Sequence, residues 1–181
     1  MGKYVALLRG INVGKAKRVA MVDLRNAVES LGGTAVQTVL NSGNVCFQSA
    51  TRKPAGLAPA LKAILKDRLQ VDCAVQVFEA GAFRAILGAN PLAQSAEDPA
   101  RFLVAFVASP DALAPIRKCL PLSCPPDGLA VGDGAAYLWC ASGILESPVF
   151  KLVTRAAGDT ITTRNWSTLQ RLLAVLDAYE A

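Results

Sequence analysis

The 181 residues are 52% hydrophobic with a mean hydropathy of +0.35, enough apolar surface for a real core and too much for a disordered chain. Histidine is absent, which removes the usual general base, the usual transition-metal ligand and any Ser-His-Asp or Cys-His nucleophile, so hydrolase readings drop away. A net charge of +5 favours anionic partners only weakly, but the bases are unevenly placed: up to Arg25 they are Lys3, Arg9, Lys15, Lys17, Arg18 and Arg25, against Asp23 alone.

Tyr4 to Leu8 is a short apolar run bounded by Gly10, which predicts a buried strand leading into a loop from Arg9 to Arg18. Met21, Leu24, Val28 and Leu31 then fall at helical spacing, and Gly32-Gly33 supplies the positive φ that ends a helix. Ala35 to Leu40 and Val45 to Gln48 read as strands joined by the hairpin residues Asn41-Ser42-Gly43-Asn44. After Lys53-Pro54, the stripe Leu57, Leu61, Ile64, Leu65 and Leu69 predicts an amphipathic helix, and Ala74 to Phe78 a closing strand. This order is β-α-β-β-α-β.

A helical connector from Ala82 to Leu87 ends at Gly88, and the polar stretch from Asn90-Pro91 to Asp98-Pro99 suits a boundary. The order then repeats. Phe102 to Val107 is a strand, Ser109-Pro110-Asp111 caps a helix carrying Leu113, Ile116 and Leu120, and Leu129 to Val131 pairs with Ala136 to Cys140 across Gly132-Asp133-Gly134. Ser147-Pro148 opens a helix that Gly158 ends, Thr160 to Thr163 is a short strand, and a last helix carries Leu169, Leu172, Leu173, Leu176 and Tyr179.

The pattern predicts an α+β protein of two tandem ferredoxin-like βαββαβ units with antiparallel sheets plus a C-terminal helix. Residues 1–80 form the first unit, 81–100 the connector and linker, and 101–181 the second unit with that helix. One mixed sheet running through both halves is the alternative.

In such a unit the first strand lies beside the third and antiparallel to it. The end of the first strand and the tip of the first hairpin therefore share one rim of the sheet, which brings Arg9 and Asn12 towards Ser42 and Asn44. A cation, two amides, a hydroxyl and glycine-exposed N–H groups together suit an anionic ligand. The competing structural reading is that Arg9 and Asn12 satisfy backbone carbonyls of a long loop, with Ser42 and Asn44 as ordinary turn residues.

Gly10 to Ala16 invites comparison with a phosphate-binding P-loop, yet its spacing is short, Ala16 replaces the magnesium-binding hydroxyl, and the helix starts too late. Lys15, Lys17 and Arg18 form a basic run that reads first as a solvated loop, ahead of a role in tracking phosphate. Near the other end, Asn165 is a good N-cap, while Arg164 and Trp166 offer a cation and a stacking face.

No apolar run reaches the ~18 residues of a membrane span, and the first ten residues lack the features of a secretion signal. A cytoplasmic protein with no membrane partner is expected. The five cysteines, Cys46, Cys73, Cys119, Cys124 and Cys140, form no CxxC pair and are expected as buried small hydrophobes, with no metal and no cofactor.

The segments LLRGINVG at Leu7 to Gly14, SGNV at Ser42 to Val45, Asn90-Pro91 and TRNW at Thr163 to Trp166 resemble a bacterial family known as domain of unknown function 1697. The resemblance covers essentially the whole chain, with Lys15 standing where the family commonly shows a second glycine. It implies a duplicated ferredoxin-like fold and no established activity.

Two functions of different class follow. The first is a non-enzymatic binding module that holds an anionic ligand, a phosphate-bearing metabolite or nucleic acid, through Arg9, Asn12, Ser42 and Asn44 with Lys15 adding attraction and Arg164 and Trp166 as candidate partners. The second is an enzyme acting on a phosphorylated or carboxylated small molecule, with no acid or base that the sequence singles out.

Overall fold

The computed structural model of the chain describes residues 1–14, 17–50, 53–93, 98–122 and 125–180. The elements in order are β1 (Gly2–Arg9), α1 (Met21–Glu29), β2 (Gly33–Val39), β3 (Asn44–Ser49), α2 (Pro54–Leu69), β4 (Ala74–Glu79) and α3 (Ala80–Gly88). They continue with β5 (Phe102–Val107), α4 (Leu113–Arg117), β6 (Gly128–Val131), β7 (Ala135–Trp139), α5 (Pro148–Ala157), β8 (Ile161–Asn165) and α6 (Trp166–Ala178). The architecture is α+β, with two four-stranded antiparallel sheets ordered β2-β3-β1-β4 and β6-β7-β5-β8. Two compact units result, Met1–Phe83 with Gln170–Ala181, and Arg84–Leu169.

In the first unit β1 is central because it is apolar on both faces, as a strand covered on both sides must be. Tyr4, Ala6 and Leu8 join Val45 and Phe47 of β3 on one face, against Leu24 and Val28 of α1 and Leu57, Leu61 and Leu65 of α2. Tyr4 and Phe47 are cross-strand partners whose rings stack at 5.4 Å. Gly33 opens β2 where a Cβ would lie 2.7 Å from Val28 Cγ1, so only glycine lets α1 turn so closely into the strand.

The opposite face carries Val5, Leu7 and Cys46, all fully buried. The Cys46 thiol donates to the Leu172 carbonyl of α6 at 3.8 Å, and the Tyr179 hydroxyl donates to the Ala35 carbonyl at 2.5 Å. Ala35 sits where β2 slips register between Thr34 and Gln37, at φ +49°, and Tyr179 occupies a carbonyl in that irregular stretch. Residues of α6 from Gln170 onward thus pack with the first unit, whereas sequence order alone places the whole helix in the second half.

In the second unit β5 is buried along its whole length. Leu103, Ala105 and Val107 pack with Leu113 and Ile116 of α4 and Val149 and Val153 of α5. Ser147 caps α5 as its position before Pro148 predicts, its Oγ accepting from Phe150 N at 3.0 Å. The expected cap at Ser109 differs: its side chain makes no capping bond, Pro110–Ala112 is a 3₁₀ turn, and α4 is only five residues long. Asn165 does cap α6, accepting from Thr168 N at 3.0 Å.

Cys46, Cys73, Cys119 and Cys140 are buried free thiols, and Cys124 lies outside the described residues. No described helix is long and apolar enough to cross a membrane.

Candidate functional site

β1 ends at Arg9, and Gly10 at φ +74° turns the chain out of the sheet. Asn12 follows at φ +56°, a left-handed conformation that asparagine tolerates better than most residues. Its amide Nδ2 donates to Val19 O at 2.9 Å and to Asn41 O at 2.7 Å, while its Oδ1 accepts from Val19 N at 2.9 Å. One side chain therefore closes the loop on itself and ties it to the β2–β3 hairpin. The backbone adds Asn12 N to Lys17 O at 3.0 Å and Leu8 N to Gly43 O at 2.7 Å.

Close approach at that rim requires glycine at position 43, where a Cβ would lie 2.7 Å from Leu8 Cβ and 2.8 Å from Ile11 Cδ1. Asn44 is fully buried, and its amide donates to Val39 O at 2.8 Å and to Ser42 Oγ at 2.9 Å. It faces Leu7 across β1 and Val39 across β2, so it closes the hairpin from inside. Arg9 pairs with Ala74 of β4, and strand alternation places it on the face of Leu7 and Val5, where its Nη1 is shielded from solvent.

The rim thus brings together the end of β1, Asn12, Ser42 and Asn44, but the two amides are engaged within the protein. Arg164 and Trp166 belong to the second unit. Arg164 lies on β8 opposite Val104 and donates from Nη1 to Thr163 O at 2.8 Å, with burial lowering its guanidinium to about 10, so it stays cationic at neutral pH. Trp166 packs its ring 5.5 Å from that of Phe102. Lys15 lies outside the described residues.

Beside the Asn12 clamp is an open cleft of about 450 Å³ lined by Asn12, Arg18, Val19, Ala20, Met21 and Asn41. Arg18 is exposed, and Ala20 is the N-cap of α1 with no side-chain capping bond. The first N–H groups of any helix lack partners within it and carry partial positive charge, so a cation and a helix N-terminus share one recess. Sequence reasoning placed Asn12 and Arg18 in the loop but did not assign Ala20, Met21 or Asn41 to the site. The signal is an alanine where a capping Ser, Thr, Asp or Asn is usual, two residues after the basic run ends at Arg18.

Among the described residues, the lining has no carboxylate, thiol or hydroxyl. Among the described residues no group of three or more His, Cys, Asp or Glu could hold a metal ion. The recess can attract and orient an anion, and that is the chemistry its residues supply.

A family model described as "Protein of unknown function (DUF1697)" matches residues 1–137. The chain belongs to the DUF1697 family. The match includes the β1 loop and the SGNV hairpin, and ends before the TRNW segment. A DUF1697 chain also resembles, in this case, a solved structure described as conserved bacterial protein SP0830 from Streptococcus pneumoniae: 25% identity, a TM-score of 0.75, and coverage of 97% of this chain and 98% of that one. No curated protein matches the chain.

Proposed function

We propose that this DUF1697 protein is a non-enzymatic binding module for a phosphate-bearing small molecule, built on two tandem ferredoxin-like units of which the first holds the site. The strand order of each sheet, with its first strand between its third and its fourth, supports the ferredoxin-like reading. What carries the functional reading is the shared recess of Arg18 and the uncapped N-terminus of α1. Backbone N–H groups and a guanidinium converging on one spot are what a phosphate needs. Asn12, Ser42 and Asn44 are the scaffold of this site, and Lys15 and Lys17 add attraction at longer range.

A metabolite fits better than nucleic acid because, among the described residues lining the recess, Arg18 is a single cation rather than part of a tract that follows successive phosphates. The test is titration with inorganic phosphate, pyrophosphate and methyl phosphate at low and moderate ionic strength, followed by NMR amide shifts in the wild type and Arg18→Gln. Saturable shifts at Met21 and Val22, weakened by salt and by the substitution, are expected. Equal affinity in Arg18→Gln would remove the cleft from the account.

A further inference from the structure

The net charge of the chain is carried by one unit. Met1–Phe83 with Gln170–Ala181 hold 12 of the 19 lysines and arginines but 7 of the 14 acidic residues, which is the whole net charge of +5, whereas Arg84–Leu169 holds seven of each. A basic excess confined to one half of a protein is the footprint of an anionic partner when its cations are gathered on one surface.

Three of these cations are so gathered. Lys62 and Lys66 stand one turn apart on the same face of α2, and both are exposed. Lys62 Nζ lies 3.2 Å from Asp72 Oδ1, in the segment that leads from α2 into β4. Arg9 at the end of β1 is registered against Ala74 at the start of β4, so the loop that carries the exposed Lys17 leaves the sheet beside that same segment. The Asp72 carboxyl feels all three lysines: Lys62, by hydrogen bond and charge, holds it below the usual carboxylate range, and Lys66 and Lys17 add to the pull. Burial raises the neighbouring Cys73 thiol against the pull of Lys17 and Lys62. One carboxylate among three lysines leaves the cluster with an excess of positive charge.

We infer that Lys17, Lys62 and Lys66 form a docking surface for the phosphate backbone of a nucleic acid, in which a phosphate replaces Asp72 as the partner of Lys62. A protein partner fits less well. Protein interfaces are depleted in lysine and centre on apolar and aromatic side chains, and among the described residues neither α2 nor the segment 70–73 exposes a large apolar side chain. For the same reason no base is stacked or read, and the contact is to phosphates whatever the sequence. The Lys62–Asp72 pair is half in solvent, so it yields readily to a phosphate. None of the three lysines lines the Arg18 recess, and the inference does not rest on the small-molecule reading given for it.

The test is fluorescence anisotropy of the full chain with short labelled duplex DNA, from about 50 to 200 mM salt. Three phosphate contacts predict that log affinity falls with log salt at a slope of about −2.7. Lys62→Gln combined with Lys66→Gln should weaken binding and bring the slope to about −0.9. Asp72→Asn, which frees Lys62, should tighten binding severalfold at low salt. Lys151→Gln, in the unit without net charge, is the control and should change neither quantity; circular dichroism verifies that each variant keeps its fold. A slope unchanged in the double variant, or an Asp72→Asn protein that binds no more tightly than the wild type, overturns the surface. Polyglutamate bound as tightly as DNA overturns the nucleic-acid partner, and no binding of DNA at the lowest salt overturns the inference outright.

Discussion

Asn12 and Asn41, 29 positions apart, are joined by a 2.7 Å hydrogen bond from the Asn12 amide to the Asn41 carbonyl. That bond fixes the distance between the two segments that wall the cleft, so the loop after β1 and the first hairpin behave as one piece. Without it, the loop would lose its side-chain tie to the hairpin, leaving the Leu8 to Gly43 backbone bond and the packing of Ile11 against Gly43 to hold the two segments together. The following substitutions each separate one physical contribution to this arrangement.

Asn12→Ala removes three hydrogen bonds and puts a less tolerant residue at φ +56°. At about 0.5 to 1.5 kcal/mol per bond, and allowing for partial rescue by water, a loss of about 2 to 3 kcal/mol is expected in urea unfolding. Asn12→Gly loses the same bonds but accepts the backbone angle, so it should be the milder of the two. If alanine and glycine cost the same, the angle carries no strain and the hydrogen bonds account for the whole effect.

Gly43→Ala combines a positive φ of +79° with a Cβ driven into Leu8 and Ile11. Crowding a packed core and forcing a left-handed alanine together predict a loss of roughly 2 to 4 kcal/mol. Gly10→Ala is the control, since φ is +74° there but nothing lies within 4 Å of the new Cβ. Its loss should be about 1 to 2 kcal/mol. Equal midpoints for the two variants in urea would show that the contact at Leu8 relaxes freely.

Asp23 lies in the first turn of α1, where its charge offsets the positive end of the helix that the proposed anion needs. Asp23→Asn should therefore move two quantities in opposite directions. Stability falls by about 0.3 to 1 kcal/mol, while affinity for phosphate rises severalfold at low salt. Affinity unchanged at low salt would place the anion away from the helix N-terminus.

Much of this organisation is legible in the sequence. The period-two and helical apolar patterns locate nearly all strands and helices, and the βαββαβ order places the end of β1 beside the first hairpin, as the Leu8 to Gly43 bond shows. The roles of the rim residues are harder to read. Asn12 and Asn44 look alike as exposed amides in loops, but the partners that engage them, Asn41 O for one and Val39 O for the other, depend on tertiary geometry that a residue's type does not encode. Leu40 is harder still, since leucine is an improbable occupant of a left-handed turn and its pattern reads as the end of β2. The packing of Leu172 and Tyr179 with the first unit is equally hidden, because helical periodicity reports an apolar face without naming the sheet that covers it.

Cys46 makes the first unit sensitive to alkali. Its thiol is fully buried beneath α6, and desolvation pushes it from an ordinary value of 9.0 up to about 12. Burial raises the Tyr179 hydroxyl in the same unit as well. An acid whose folded value lies above its unfolded one keeps its full contribution below the unfolded value and loses it as pH rises. Below pH 9 both states hold the Cys46 proton; between about pH 9 and 12 only the unfolded chain releases it, so stability falls by at most about 1.4 kcal/mol per pH unit for that thiol. Urea midpoints measured from pH 8 to 10.5 should decline in the wild type and decline less steeply in Cys46→Ala, so the gap between the two proteins narrows with pH. Because the cause is burial rather than a neighbouring charge, raising the salt concentration should leave the difference in slope in place. A gap that stays constant to pH 10.5, or rapid reaction of Cys46 with a thiol reagent in the native protein, would mean that α6 does not hold this thiol out of water.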